Sequence, residues 1–237
     1  MPNPYFSFKQ FTIYHDKCAM KVGIDGVLLG VWADVANARQ LLDIGTGTGL
    51  IALMLAQRSN AAVHAIDIEG SAIIQAQENI ENSPWTDRVS VQQMSLQEFA
   101  AMTSEQFDLI VSNPPYFVNS TKAPSENRTL ARHTDTLTHD ELVLNAKQLL
   151  STVGRICIIL PVKEGLECVD FAESVGLYCT KLVTVYPKPN VQAKRVLIEL
   201  SMNFSEKLES ELTIESAERH HYSPEFSLLA KDFYLKL

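Results

Sequence analysis

The chain has 237 residues, 46% of them apolar, and carries a formal charge of −8; that is enough apolar material to bury one sizeable core. No run approaches the roughly 20 apolar residues that span a bilayer. The opening MPNPYFSFKQF lacks the basic-then-apolar order of a secretory signal, so a cytoplasmic protein is expected.

Hydrophobic patterning alternates short β-branched runs with longer helical ones, the signature of a parallel α/β sheet. Val22 to Ala33 reads as an amphipathic helix entered through a glycine turn. Residues 39–44 read as a first strand, followed at Gly45 by a glycine turn and a helix through Gln57. Strands are expected at 62–67, 89–92 and 107–112, with a helix over 71–80. Thr138-His-Asp-Glu141 has the form of a capping box and opens a helix running to about Leu150. Residues 154–160 form a near-continuous apolar run, as expected for a strand covered on both faces. Strands at 177–186 and 194–200 flank Pro187-Lys-Pro-Asn190, a stiff connection whose prolines donate nothing to a ladder. Ser223-Pro-Glu starts a last short helix, with Ser as cap and Pro at the first position. The expected fold is therefore α/β, a doubly wound, mostly parallel seven-stranded sheet ending in an antiparallel hairpin. One domain is expected over 1–237, with a leading segment at 1–38, a core at 39–200 and a C-terminal extension at 201–237.

The four cysteines (Cys18, Cys157, Cys168 and Cys179) form no C-x-x-C pair and show no ligand spacing with histidine, so neither a disulfide framework nor a metal site is expected. His220-His221 are read as surface residues. A net negative charge argues mildly against a nucleic-acid partner. The distribution says more: Lys181, Lys188, Lys194 and Arg195 occupy a stretch without one acid. Lys122, Arg128 and Arg132 face only Glu126 within Asn119–His133. Acids gather in Ser205–Glu218, expected on a face turned away from any substrate.

Two loops carry the chemistry. Asp43-Ile-Gly45-Thr-Gly47-Thr-Gly49 sits between an apolar strand and an apolar helix, where glycines permit a tight turn and close approach to a ligand. Its G-x-G-x-G spacing departs from the dinucleotide pattern G-x-G-x-x-G. Asp43 would be unwelcome beside pyrophosphate but suits a ligand bearing an ammonium and a sulfonium. Asp67 ends the next strand, roughly 20 residues on, where a carboxylate can hold ribose hydroxyls. In these residues the chain resembles the class I S-adenosylmethionine-dependent methyltransferases, Rossmann-like enzymes, over nearly its whole length. The resemblance implies that Gly45, Gly47 and Gly49 cradle the methionine portion and Asp67 the ribose. Many relatives place an acid after the third strand to hold the adenine; here the segment is Gln92-Gln-Met-Ser95, and Ser95 is the candidate.

The second loop, Ser112-Asn113-Pro114-Pro115-Tyr116-Phe117, closes the fourth strand at the carboxyl edge, where open α/β sheets place ligands. An exocyclic amino nitrogen is a poor nucleophile because its lone pair is delocalised. If the Asn113 side-chain oxygen and the Pro114 carbonyl accept its two N–H bonds, density shifts onto nitrogen and the same bonds aim it for in-line transfer. Tyr116 would stack on the extruded base, with Phe117 as a second wall. N-P-P-Y resembles the tetrapeptide shared by adenine-N6, guanine-N2 and glutamine-N5 methyltransferases, and names a planar nitrogen rather than a substrate.

Val22-Gly-Ile-Asp25-Gly-Val-Leu-Leu-Gly-Val-Trp32-Ala33, Arg128-Thr-Leu-Ala-Arg132-His133, Lys188-Pro189 and Lys194-Arg-Val-Leu197 complete the pattern. With them the chain resembles the bacterial tRNA(Val) adenine-37 N6-methyltransferases. That resemblance implies that Asp25 and its neighbours close over the methionine end of the cofactor, with Asn113 bordering it. It implies a tRNA substrate contacted through Lys122, Arg128, Arg132, Lys188, Lys194 and Arg195, with neither membrane nor metal involved. A monomer is the default expectation. The rivals are glutamine-N5 methylation of a release factor, rRNA guanine-N2 methylation, an NAD-dependent oxidoreductase, and a non-catalytic RNA-binding module. The first usually carries a helical domain before the cofactor loop, for which the roughly 40 residues here leave no room. Glycine spacing and N-P-P-Y disfavour the oxidoreductase, and an intact Asn113 and Tyr116 disfavour the module.

Overall fold

The structure, a computed structural model, describes residues 3–18, 21–115, 137–218 and 221–237. Two short antiparallel strands, β1 (Tyr5–Ser7) and β2 (Thr12–Tyr14), come first, then helix α1 (Ile24–Trp32). The parallel core follows as β3 (Gln40–Ile44), α2 (Leu50–Arg58), β4 (Ala62–Asp67), α3 (Gly70–Glu81), β5 (Val89–Gln93), α4 (Leu96–Met102) and β6 (Phe107–Ser112). After it come α5 (His139–Gln148), β7 (Leu150–Pro161), α6 (Val162–Ser174), β8 (Tyr178–Tyr186), β9 (Arg195–Ser201), β10 (Leu208–Thr213) and α7 (Pro224–Ala230).

The main sheet has eight strands in the order β10-β8-β9-β7-β6-β3-β4-β5. From β7 to β5 all neighbours are parallel, while β9 runs antiparallel to both β7 and β8. The doubly wound sheet and its closing hairpin are as expected from the sequence. An eighth strand extends it, because β10 adds beside β8 in parallel. Its residues alternate Leu208-Glu-Ser-Glu-Leu212, a period-two pattern inside the acid-rich stretch, and Leu212 tucks into the core while Glu209 and Glu211 stay exposed.

Alternation along the strands sorts side chains onto two covered faces. Leu41 joins a core with α1, α2 and α7, whereas Leu42 and Ile44 join one with α4, α5 and α6. Asp43 therefore projects to the α1–α2 side. Among the described residues no helix is long and apolar enough to cross a membrane.

Helix α1 reaches this core by close approach to α2. A methyl group at Gly30 would stand 2.6 Å from Met54 Sδ and 3.0 Å from Met54 Cβ, so the two helices meet where only glycine fits. The orphan carbonyls that end α1 are met from α2: Arg58 Nη1 donates to the carbonyls of Gly30 at 2.8 Å and Ala33 at 2.7 Å. Gly30→Val should force α1 off α2 and lower unfolding free energy by about 2 kcal/mol or more; urea denaturation with the midpoint moved down and the slope kept would show it.

Candidate functional site

All the candidate loops within the described residues gather at the carboxyl edge of the sheet. There β3, β4 and β6 end, and β9 begins with Arg195 paired between Pro161 and Val185.

The glycine loop is built by backbone geometry. Gly45, Gly47 and Gly49 all adopt positive φ, at 71°, 55° and 79°, a region that L side chains avoid. The amides of Gly45 and Thr46 both donate to the Ile66 carbonyl, at 2.9 and 3.1 Å, tying the turn to the end of β4. Asp67 completes the tie: Oδ2 accepts from the Gly47 amide and Oδ1 from the Glu69 amide, each at 2.9 Å. Each oxygen keeps a second lone pair, which suits a ligand diol.

Gly49 is the N-cap of α2 and has no side chain to serve the helix amides. Asp43 does that from inside. Its Oδ2 accepts from the Ala52 amide at 3.1 Å and from the Thr46 hydroxyl at 2.7 Å, while Oδ1 is buried with no hydrogen-bond partner. The carboxyl is fully buried, and desolvation raises its pKa from 3.8 to about 7 against the lowering hydrogen bonds of Thr46 and Ala52. Asp43 thus braces both the loop and the first turn of the helix that follows it.

A helix interior residue that the sequence reading passed over supports the same loop. Asn79 of α3 is 1% exposed; its Nδ2 donates to the Thr48 carbonyl at 2.8 Å and the Tyr14 carbonyl at 2.9 Å, and its Oδ1 accepts from the Tyr14 amide. Gln75, one turn earlier, accepts from the Lys17 amide. The two tie the segment at 14–17 to the glycine loop and α3. Polar residues at 75 and 79 among buried Ala72, Ala76 and Ile80 were the available signal, since a polar residue on a buried helical stripe must find a partner.

Asn113 and Pro114 lie just past Ser112, the last residue of β6 paired with β3 and β7, so they stand beyond the ladder on both sides. Ser112 itself is fixed by a hydrogen bond from its hydroxyl to the Ile44 carbonyl at 2.9 Å. Pro114 is buried and Asn113 half-buried. Helix α1 presses against this point: a methyl group at Gly26 would meet Leu50 Cδ2 at 3.1 Å and Asn113 Nδ2 at 4.0 Å. The start of α1 thus packs on the glycine-loop helix and comes close to the N-P-P loop at Gly26.

Other candidates have different surroundings from those expected. Ser95 is the N-cap of α4: its hydroxyl accepts from the Glu98 amide and donates to the Glu98 carboxylate at 2.7 Å, a capping box. Arg195 Nε donates to Asp25 Oδ2 at 2.9 Å, and Lys188 pairs with Glu215 at 2.8 Å. Glu215 follows β10, whose end reaches the same edge as the turn after β8, so the acid-rich stretch is not wholly turned away. Lys194 is exposed. Tyr116, Phe117, Lys122, Arg128, Arg132, His133 and His220 lie outside the described residues. Among the described residues no cluster of His, Cys, Asp or Glu has metal-holding geometry.

These features fit the cofactor that the sequence resemblance implies: open space in front of Gly45, a diol-ready carboxylate at Asp67, and an unsatisfied buried acceptor at Asp43. The folded carboxyl of Asp43 keeps its proton to about pH 7, whereas the unfolded one loses it near 3.8. Stability conferred by that proton is fully present below the lower value and lost as pH rises through the upper one. Urea unfolding of the ligand-free protein should show wild type losing about 2 to 3 kcal/mol more than Asp43→Asn between about pH 5 and about pH 8.

Comparison with known proteins places this edge in context. The Methyltransferase small domain family model matches residues 26–177, from α1 through α6. The chain is 52% identical to the tRNA1(Val) (adenine(37)-N6)-methyltransferase of Parabacteroides distasonis, over 100% of both chains. It is 49% identical to the enzyme of the same name from Trichodesmium erythraeum, over 98% of each. Among solved structures, a predicted O-methyltransferase from Agrobacterium tumefaciens superposes with a TM-score of 0.67 at 17% identity, covering 88% of this chain and 95% of that one. That likeness speaks for the fold, and the full-length identities speak for more: the chain is a methyltransferase and belongs to the tRNA1(Val) (adenine(37)-N6)-methyltransferase family.

Proposed function

We propose that this protein transfers the methyl group of S-adenosylmethionine to the exocyclic N6 of adenine 37, beside the anticodon of a valine tRNA. The observation that carries the reading is the juxtaposition of Asn113, Gly26 and Leu50 at the mouth of the glycine loop. It brings the residues read as acceptor-binding within reach of the residues read as cofactor-binding.

Bound there, S-adenosylmethionine supplies a methyl group made electrophilic by the sulfonium. Asp67 receives the ribose hydroxyls on its remaining lone pairs. Gly45 leaves room for the methionine portion, and Asp43 supports it electrostatically from beneath the loop. Asp25 and the start of α1 cover that end. We assign the adenine end of the cofactor to the segment after β5, where Ser95 retains one acceptor lone pair beside its capping bonds.

The Asn113 oxygen and the Pro114 carbonyl each accept an N–H of the target amine. Lying past the end of the ladder, neither carbonyl belongs to a sheet pair. The two bonds set the direction of the nitrogen lone pair and raise its nucleophilicity. Tyr116 provides the stacking surface, and the proton leaves to water after transfer. A base in an anticodon loop is already unpaired, so its extrusion costs less than from a duplex. Lys188 and Lys194 on the β8–β9 turn, with Lys122, Arg128 and Arg132 after the N-P-P-Y loop, supply positive charge on both sides of the target.

Nucleoside mass spectrometry of tRNA from a deletion strain should show loss of N6-methyladenosine, restored by the wild-type gene; an unchanged level would refute the assignment. Asn113→Ala should cut turnover by about 100-fold or more while S-adenosylmethionine affinity stays within about threefold. For the RNA contacts, Lys188→Ala and Lys194→Ala should each reduce the salt slope of tRNA binding by about one. Slopes equal to wild type would remove those lysines from the interface.

A further inference from the structure

Arg195 was expected among the phosphate-contacting cations, yet its position ties it to the other half of the reaction. It is the first residue of β9, directly after the β8–β9 turn, and it lies at the carboxyl edge between Pro161 and Val185. Its side chain is 25% exposed and that of Asp25 16%, and its Nε donates to Asp25 Oδ2 at 2.9 Å across 170 residues of sequence. A second donor, Nη1, is held by the Lys194 carbonyl at 2.9 Å, which sets the plane of the guanidinium. Asp25 precedes Gly26, where an added methyl group would lie 3.1 Å from Leu50 Cδ2 and 4.0 Å from Asn113 Nδ2. A half-buried charge pair of this kind, with one partner further hydrogen-bonded, orients its members far better than an exposed pair.

We propose that Arg195 is a positioning residue that holds Asp25, and with it the start of α1, over the cofactor loop. The inference rests on the reading of α1 as the cofactor-covering segment. It moves Arg195 from RNA contact to cofactor retention. It also makes the turn bearing Lys188 and Lys194 continuous, through one ion pair, with the segment that closes the cofactor site. The methyl donor and the RNA then share a support: whatever steadies the turn steadies the cover.

The test uses the full chain and titrates S-adenosylmethionine calorimetrically in the absence of RNA. Arg195→Gln should weaken cofactor binding about tenfold, with the salt slope of tRNA binding unchanged. Arg195→Lys, which keeps the charge, should recover most of that affinity. Asp25→Asn added to Arg195→Gln should cost much less than it does alone, because the two residues act as a unit. Cofactor affinity within about twofold of wild type in Arg195→Gln, or losses that simply multiply in the double variant, would overturn the proposal. So would a reduced salt slope with cofactor affinity intact, which returns Arg195 to the RNA surface. If Arg195→Gln loses its cooperative melting transition, Arg195→Lys and the Asp25 variants carry the same comparison. Asp67→Ala serves as the control for the underlying reading. Unchanged cofactor binding there removes the cofactor-site assignment itself, whereas loss of binding there with no effect at Arg195 removes only the positioning role.

Discussion

A buried carboxyl group, Asp43, with no ion-pair partner among the described residues, holds the first turn of α2. Three left-handed glycines let the chain turn sharply off β3, but they leave the helix with a cap that has no side chain. Asp43 accepts the Ala52 amide from within the molecule and the Thr46 hydroxyl from the loop, so one group fixes both the turn and the helix start. The cost is a desolvated acid with one oxygen unpartnered. On the proposed reading, a cationic ligand over the loop would offset that cost, and relief of the buried acid would add to its affinity. The remaining ties, from Asp67 to Gly47 and from Asn79 to Thr48, hold the same loop from the strand and helix that follow.

The rest of the edge is arranged around that loop by close backbone approach. Glycines at 26 and 30 bring α1 onto α2, and Arg58 returns the contact by closing the end of α1. Because the start of α1 packs on Leu50 and comes close to Asn113, the glycine loop and the N-P-P loop are not independent. A shift of α1 by the width of a methyl group disturbs both.

Much of this was legible in the chain. The short apolar runs at 40–44, 62–67 and 107–112 mark strands because burial on both faces leaves them no polar period, and the glycine spacing marks the loop because L side chains avoid its dihedrals. The same signal is read at one place and missed at another: Thr138-x-x-Glu141 announces a helix, and Ser95-x-x-Glu98, identical in form, announces one that the sequence reading did not draw. β10 was hidden by its acids, although Leu208, Ser210 and Leu212 keep the strand period. Ion pairs such as Arg195–Asp25 and Lys188–Glu215 join residues 170 and 27 positions apart, and no local pattern announces them. The basic stretches read as an RNA surface therefore also make contacts within the protein.

The added strand also decides how the sheet ends. An uncovered strand presents unpaired amides and carbonyls that can recruit a strand from another molecule. β10 places Glu209 and Glu211 along that border, with Lys207 at its entrance paired to Glu209 at 2.6 Å. A second strand approaching edge to edge would have to accommodate these charged side chains along its own border. The acid-rich stretch that looks like surplus surface charge therefore gives the sheet a charged border, of the kind that discourages a further strand from adding.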